Sequence, residues 1–141
     1  MLLRGSVVSG MGSFSYWIEK LQEHYQRKTG MRFYPGTLNV RLDAPYSLPT
    51  RVIRLEASEY GGTVSVSMVP CVIRIPGQVI HGQIGERQAF LLRTDANEEE
   101  RGHHPKTIVE IATDVRLRDF FGLTDGDLVE IEAEPLPIAR S

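Results

Sequence analysis

Gly10 and Gly12, near the start of the chain, could bring backbone N–H groups close to a phosphate, because glycine allows sharp turns and close approach. They lie between an apolar segment and an amphipathic one, and a helix starting there would present its positive end to an anion. The segment lacks the third glycine of a dinucleotide fingerprint and the Gly-Lys-Ser/Thr of a P-loop. A tight strand-to-helix turn is the alternative. The candidate phosphate-contacting residues are Gly10, Met11, Gly12, Ser13, Phe14 and Ser15.

A second candidate is the segment Pro35-Gly36-Thr37-Leu38-Asn39. Proline and glycine set a rigid turn, and Thr37 and Asn39 then point to the same side of the next strand. Their neutral oxygens could hold a hard cation such as Mg²⁺, with nucleotide phosphates and water completing the shell. The alternative is that both side chains satisfy backbone groups beside the turn, since magnesium usually recruits a carboxylate.

Two polar residues in the second half of the chain could contact a substrate. Thr94 could form a hydrogen bond with the edge of a heterocycle, and Glu110 could accept a proton from a hydroxyl. Val109 and Ile111 flank Glu110, so its side chain lies on the opposite face of the strand from both. Alternation alone would make Glu110 a solvent-facing sheet residue.

A basic segment follows, in which backbone groups could read a base edge and two arginines could meet phosphate. Its residues are Val115, Arg116, Leu117 and Arg118. The alternative is that the arginines are solvated on a short surface helix.

The elements that must position these residues are mostly short strands. One amphipathic helix, with apolar residues at three- and four-residue spacing, is predicted from Ser13 or Ser15 to Gly30. A short helix is predicted near residues 115–121. The predicted strands are Leu2–Val8, 37–42, Arg51–Leu55, Thr63–Val69, Val72–Ile75, Gln78–Ile84, Ala89–Leu92, 107–112 and 128–133. Together they favour a small closed β-barrel with an inserted helix, because closure removes exposed sheet edges.

Composition limits the classes of function. With 141 residues, 41% hydrophobic and 24% charged, the chain is expected to form one folded domain. Its 16 basic and 18 acidic residues give a net charge of −2, which argues against nucleic acid as a partner. A single cysteine excludes an intramolecular disulfide and fits a cytoplasmic location. No apolar run approaches the ~18 residues that span a bilayer, so no membrane partner is expected.

The order of these segments resembles that of the archaeal CTP-dependent riboflavin kinases, from about Arg4 to Glu132. The resemblance is carried by six segments, of which the Pro-Gly-Thr-Leu-Asn stretch is the most specific. They are Ser9–Gly12, the amphipathic helix, Tyr34–Val40, Arg93-Thr94, Glu110-Ile111 with Val115–Arg118, and Asp125-Gly126-Asp127.

The resemblance implies a six-stranded cradle-loop barrel, here a single domain over residues 1–141. It implies transfer of the γ-phosphate of CTP to the 5′-hydroxyl of riboflavin, giving FMN and CDP. Gly10–Ser15 and Val115–Arg118 would contact the nucleotide, and Thr37 with Asn39 would hold Mg²⁺. Thr94 and Glu110 would contact the flavin, with Glu110 as the catalytic candidate.

This sequence departs from the family pattern at Phe14, where the glycine loop usually carries a small residue. A phenyl ring there could crowd the phosphates. The departure motivates a second hypothesis, in which the chain is a non-catalytic flavin- or nucleotide-binding module.

Overall fold

Seven strands form one antiparallel sheet in the computed structural model, which describes residues 1–10, 13–99 and 105–134. The strand order is β3-β4-β5-β6-β2-β1-β7, and β4 also pairs with β7. That pairing closes six strands into a barrel and leaves β3 on the outside, as the predicted six-stranded barrel requires. The strands are β1 (Leu2–Val8), β2 (Leu38–Leu42), β3 (Ile53–Leu55), β4 (Val66–Ile80), β5 (Gln83–Thr94), β6 (Ile108–Ala112) and β7 (Leu128–Ala133).

The middle of the chain forms two long strands where several short ones were predicted. Pro70 does not end a strand, because it lies within the β4 ladder opposite Phe90. Pro76 and Gly77 cause a register shift between Arg74 and Val79 and do not form a turn. The strands predicted at Thr63–Val69 and Val72–Ile75 are therefore parts of β4.

The turn between β4 and β5 lies inside the strand predicted at Gln78–Ile84, so that prediction is wrong. His81 and Gly82 have φ values of 51° and 77°, and they join the strands as a two-residue hairpin. Left-handed turns of this kind match the twist of the flanking strands.

The predicted amphipathic helix is present but interrupted. It consists of α1 (Ser13–Lys20) and α2 (Gln22–Thr29), with Leu21 outside helical geometry at φ −111°. Gly30 ends α2 in a left-handed conformation, as predicted. Two further short helices are α3 (Asp95–Glu98) and α4 (Leu117–Phe121), and α4 is the predicted C-terminal helical turn.

Two apolar layers hold the fold together. The first fills the barrel interior, and the second lies between the outer face of the sheet and the helices α1 and α2. The interior includes Val7, Val40, Leu91, Val109, Ile111 and Ile131. The second layer includes Phe14, Ile18, Leu21, Tyr25, Phe90, Leu92 and Ala112. Within the described part of the chain, no helix has the length and hydrophobicity needed to cross a membrane.

Candidate functional site

The centre of the candidate site is a pair of polar residues on the outer face of the barrel. Asn39 on β2 and Glu110 on β6 are direct cross-strand partners. The chain neighbours of Glu110 point into the barrel, so Glu110 points outward toward the layer covered by α1 and α2. Only 7% of Asn39 and 5% of Glu110 is exposed. The interpretation of Glu110 as a solvent-facing residue is therefore wrong, because the inserted helices cover this face.

Thr37 contacts the Glu110 carboxyl. Its hydroxyl Oγ1 donates a hydrogen bond of 2.8 Å to Glu110 Oε1. Thr37 precedes β2 directly, at the end of the Pro35–Gly36 turn, so the rigid turn sets the direction of its hydroxyl. The three residues Thr37, Asn39 and Glu110, called the oxygen cluster below, therefore meet although 73 positions separate Thr37 from Glu110.

Burial changes the protonation of this cluster. Desolvation raises the pKa of the Glu110 carboxyl from 4.5 to about 7, and the hydrogen bond from Thr37 partly opposes the shift. The fully buried Tyr25 lies close enough for the Glu110 charge to raise the pKa of its hydroxyl further, although burial is the main cause there. Glu110 is thus shared between neutral and ionised forms near neutral pH.

The raised pKa predicts how stability depends on pH in metal-free protein. Between pH 4.5 and 7 the folded state binds more protons at Glu110 than the unfolded state. The contribution of Glu110 to the free energy of unfolding is therefore fully present below pH 4.5 and is lost as the pH rises through 7. Glu110→Gln has no such titration. As the pH rises from acidic to alkaline, the free energy of unfolding of the unsubstituted protein should therefore fall by about 2–3 kcal/mol more than that of Glu110→Gln.

Urea unfolding in EDTA at about pH 5 and about pH 8 measures this difference. Glu86→Gln is the matched control, because Glu86 is exposed and pairs with Arg74 on the surface. Parallel pH dependence of Glu110→Gln and the unsubstituted protein would show that Glu110 titrates normally.

Asn39 has an unused oxygen. Among the described residues, no group forms a hydrogen bond with the buried Oδ1 of Asn39. Gly10 packs directly against this side chain, and a Cβ at Gly10 would overlap the Asn39 amide. The alternative in which Thr37 and Asn39 only satisfy backbone groups does not account for Thr37, whose hydroxyl binds the Glu110 carboxyl, and among the described residues Asn39 Oδ1 binds no backbone group.

The oxygen cluster fits a magnesium ion that arrives with phosphate. It offers a hydroxyl, an amide oxygen and a carboxylate, and hard cations prefer such oxygen ligands. Among residues 1–10, 13–99 and 105–134, no three His, Cys, Asp or Glu side chains form a group that could hold a metal by themselves. Mg²⁺ commonly binds through one or two carboxylates, with substrate phosphates and water as the other ligands.

A cleft joins the turn before β2 to the basic segment. Arg116 is exposed, as the solvated alternative expects, and forms a 2.6 Å ion pair with Asp119, whereas Arg118 is partly buried and forms a 2.6 Å ion pair with Asp125. The two predicted sites, for metal and for nucleotide, are therefore adjacent. The cleft is lined by Tyr34, Gly36, Thr37, Leu38, Ile111, Val115, Arg116, Leu117 and Arg118.

The first turn of α1, which follows the glycine loop, lies beside the same cleft. A Cβ built on Gly36 would lie 3.9 Å from Ser15 Oγ, so the first turn of α1 lies beside the Pro35–Gly36 turn. The side chain of Phe14 is 6% exposed and packs in the second apolar layer, which leaves only its backbone toward the loop. Ser13 begins α1, whereas the predicted contacts of Met11 and Gly12 lie outside the described residues.

Thr94 lies on the same outer face of the barrel as Glu110. The cleft lies at one end of the oxygen cluster, and Thr94 lies beyond the other end. Leu92 pairs with Glu110, and Thr94 is two residues further along β5. Its Oγ1 accepts the N–H of Asn97 at 3.1 Å and caps α3, which fixes the position of the hydroxyl.

The sequence alone did not indicate that Asp125 connects the start of the glycine loop to the basic segment. Asp125 accepts a hydrogen bond from Ser9 Oγ and another from Arg118 Nη2, both at 2.6 Å. In the sequence, the Asp125-Gly126-Asp127 segment indicates a turn and is part of the family resemblance. No local spacing indicated its contacts, because 116 positions separate Ser9 from Asp125.

Comparison with known proteins gives one family. Residues 7–133 match the model named CTP-dep_RFKase, which is described as "Domain of unknown function DUF120". The match covers both inserted helices, the last two residues of β1 and the other six strands, including every residue of the oxygen cluster.

The similar curated proteins are archaeal and are named riboflavin kinase. The protein of Pyrobaculum arsenaticum is 33% identical over 92% of this chain. Those of Methanocella arvoryzae and Archaeoglobus fulgidus are 32% and 33% identical over 94% and 92% of the chain. The chain spans only 59%, 57% and 53% of the length of these three relatives.

Proposed function

The chain belongs to the CTP-dep_RFKase family, and on this premise we propose that it is a riboflavin kinase with CTP as phosphate donor. The family name and the names of the archaeal relatives support this reaction. The observation that carries the proposal is the oxygen cluster, in which an amide oxygen beside Gly10 has no hydrogen-bond partner within the described part of the chain. Although the relatives are longer, we propose that this barrel domain carries the activity.

The proposed substrates lie on opposite sides of the oxygen cluster. Val115–Arg118 would contact the cytidine nucleotide in the cleft, and the backbone of Gly10–Ser15 would donate hydrogen bonds to its phosphates. Thr94, at the other side of Glu110, would contact the flavin. This order supports the proposal, because phosphoryl transfer requires the acceptor hydroxyl in line with the γ-phosphorus.

The oxygen cluster would bring the reacting groups together. Thr37 and Asn39 would hold Mg²⁺, which neutralises charge on the phosphates when bound. Glu110 would accept a hydrogen bond from the riboflavin 5′-hydroxyl and orient it, while Thr37 fixes the carboxyl through its 2.8 Å hydrogen bond.

The proposed reaction is a direct transfer of the γ-phosphoryl group from CTP to riboflavin. The bond between the γ-phosphorus and the oxygen that bridges it to the β-phosphate breaks, and a bond forms between that phosphorus and the 5′-oxygen. Glu110 takes the hydroxyl proton and releases it to solvent. The products are FMN and CDP.

The position of Phe14 bears on the non-catalytic hypothesis. Its ring packs between the helices and the sheet, and this position supports the proposal that the phosphates bind to the loop backbone without contact to the ring. Calorimetry with CDP and with riboflavin tests binding, and FMN formation from CTP, riboflavin and Mg²⁺ tests turnover. Binding of both ligands without FMN would support the binding module and contradict the kinase.

A further inference from the structure

The turn at residues 124–127 is attached to the end of β1, directly before the glycine loop. Gly126 N–H donates to the Val7 carbonyl at 2.8 Å, and Val7 N–H donates to the Asp127 carbonyl at 2.9 Å. Gly126 adopts a φ of 94°, which a residue with a side chain rarely adopts. The Asp127 carboxylate accepts the N–H of Thr124 at 2.9 Å and closes the turn. The turn is therefore fixed at the point where the loop leaves the barrel.

Asp125 extends from this turn and uses both carboxylate oxygens. Oδ2 accepts the Ser9 hydroxyl, and Oδ1 accepts Arg118 Nη2. Arg118 Nη2 also lies 3.4 Å from the Val8 carbonyl. The Asp125 side chain thus connects Ser9, which precedes Gly10 at the start of the glycine loop, to Arg118, the last residue of the basic segment.

These contacts have a local effect and contribute little to global stability. The side chain of Asp125 is 55% exposed, and exposed ion pairs contribute little to the free energy of unfolding. The hydrogen bond from Ser9 and the Arg118 partner lower the pKa of Asp125, so the carboxylate is charged at neutral pH. Its charge is offset by Arg118, so the carboxylate does not leave an uncompensated negative charge beside a phosphate.

We infer that Asp125 is a positioning residue that holds Ser9 and Arg118 at one separation, so that the start of the glycine loop at Ser9 and Gly10 and the basic segment face the same nucleotide. The identity of that ligand rests on the proposed function; the connection itself does not. When the contacts of Asp125 are lost, the backbone near Ser9 and the backbone near Arg118 should both become more mobile, although Ser9 follows β1 and Arg118 lies in α4.

The primary test is hydrogen exchange of Asp125→Asn without ligand. Exchange should become about three- to tenfold faster in peptides covering residues 9–15 and 115–118, with the melting temperature unchanged. Glu86→Gln is the matched control, because it removes an ion pair of 2.7 Å on the β4–β5 hairpin. It should leave both peptides unchanged. Unchanged exchange in either peptide of Asp125→Asn, or faster exchange across the whole chain, would overturn the inference.

A second measurement separates the inference from the proposed function. The dissociation constant of Asp125→Asn for CDP should rise about five- to tenfold, whereas that for riboflavin should not change. An equal rise for both ligands would contradict a positioning role at the nucleotide. If the unsubstituted protein binds no CDP, the proposed function fails, and the exchange experiment still decides whether Asp125 connects the two segments.

Discussion

Replacing Thr37 and Asn39 together with alanine is expected to lower magnesium-dependent FMN formation by at least about 1,000-fold. The double variant removes the hydroxyl and the amide oxygen proposed to hold the cation, and it leaves in the cluster only Glu110, which is proposed to orient the riboflavin hydroxyl. The charge on the transferred phosphoryl group would then be neutralised by the arginines alone. FMN formation at several Mg²⁺ concentrations measures the loss.

Urea unfolding of the double variant is measured beside its activity, because Thr37→Ala removes the 2.8 Å hydrogen bond to the buried Glu110 carboxyl. Asn39 Oδ1 has no hydrogen-bond partner among the described residues, so its removal breaks no bond to that oxygen. Thr63→Ala is the control for the loss of a threonine hydroxyl outside the cluster. If the double variant retains turnover within about tenfold of the unsubstituted protein, the assignment of these residues to Mg²⁺ is wrong.

Gly10→Ala is expected to lower the free energy of unfolding by about 2 kcal/mol and to reduce turnover by at least about 100-fold. The added Cβ would overlap the Asn39 side chain, so either the glycine loop or Asn39 must move. Both movements would separate the backbone proposed to bind phosphate from the oxygen cluster. Urea unfolding and FMN formation measure the two effects.

Two further variants separate the steric effect from the chemical one. Gly10→Ala combined with Asn39→Ala removes the overlap, so it should recover stability without recovering turnover. Gly85→Ala is the matched control, because the three atoms nearest to its Cβ belong to the flexible side chain of Gln78, at 3.0 to 3.4 Å. If Gly10→Ala is as stable and active as Gly85→Ala, the close packing of Gly10 on Asn39 is wrong.

The closed barrel could be predicted from the alternation of apolar residues and turn signals, but the bounds of its long strands could not. Pro70 is a strand breaker by local rules, yet it lies inside β4 opposite Phe90 because the pairing of β4 with β5 extends past it on both sides. The hairpin at His81 and Gly82 gave only a weak signal, because histidine rarely adopts a positive φ.

The candidate site shows the same division. The types and spacing of Thr37 and Asn39 predicted a common face, and the structure places both beside Glu110. The burial of Glu110 could not be predicted, since it depends on where the helices pack against the sheet. The role of Asp125 also could not be predicted, because it depends on a contact between residues at opposite ends of the chain.

The most direct test of the proposed function is incubation of the purified protein with riboflavin, Mg²⁺ and each nucleoside triphosphate in turn. The structure and the family predict FMN and CDP in equal amounts with CTP, and no FMN when EDTA replaces Mg²⁺. Glu110→Gln should bind riboflavin and form FMN at least about 100-fold more slowly. Folded protein that forms no FMN with any nucleoside triphosphate would contradict the proposed kinase.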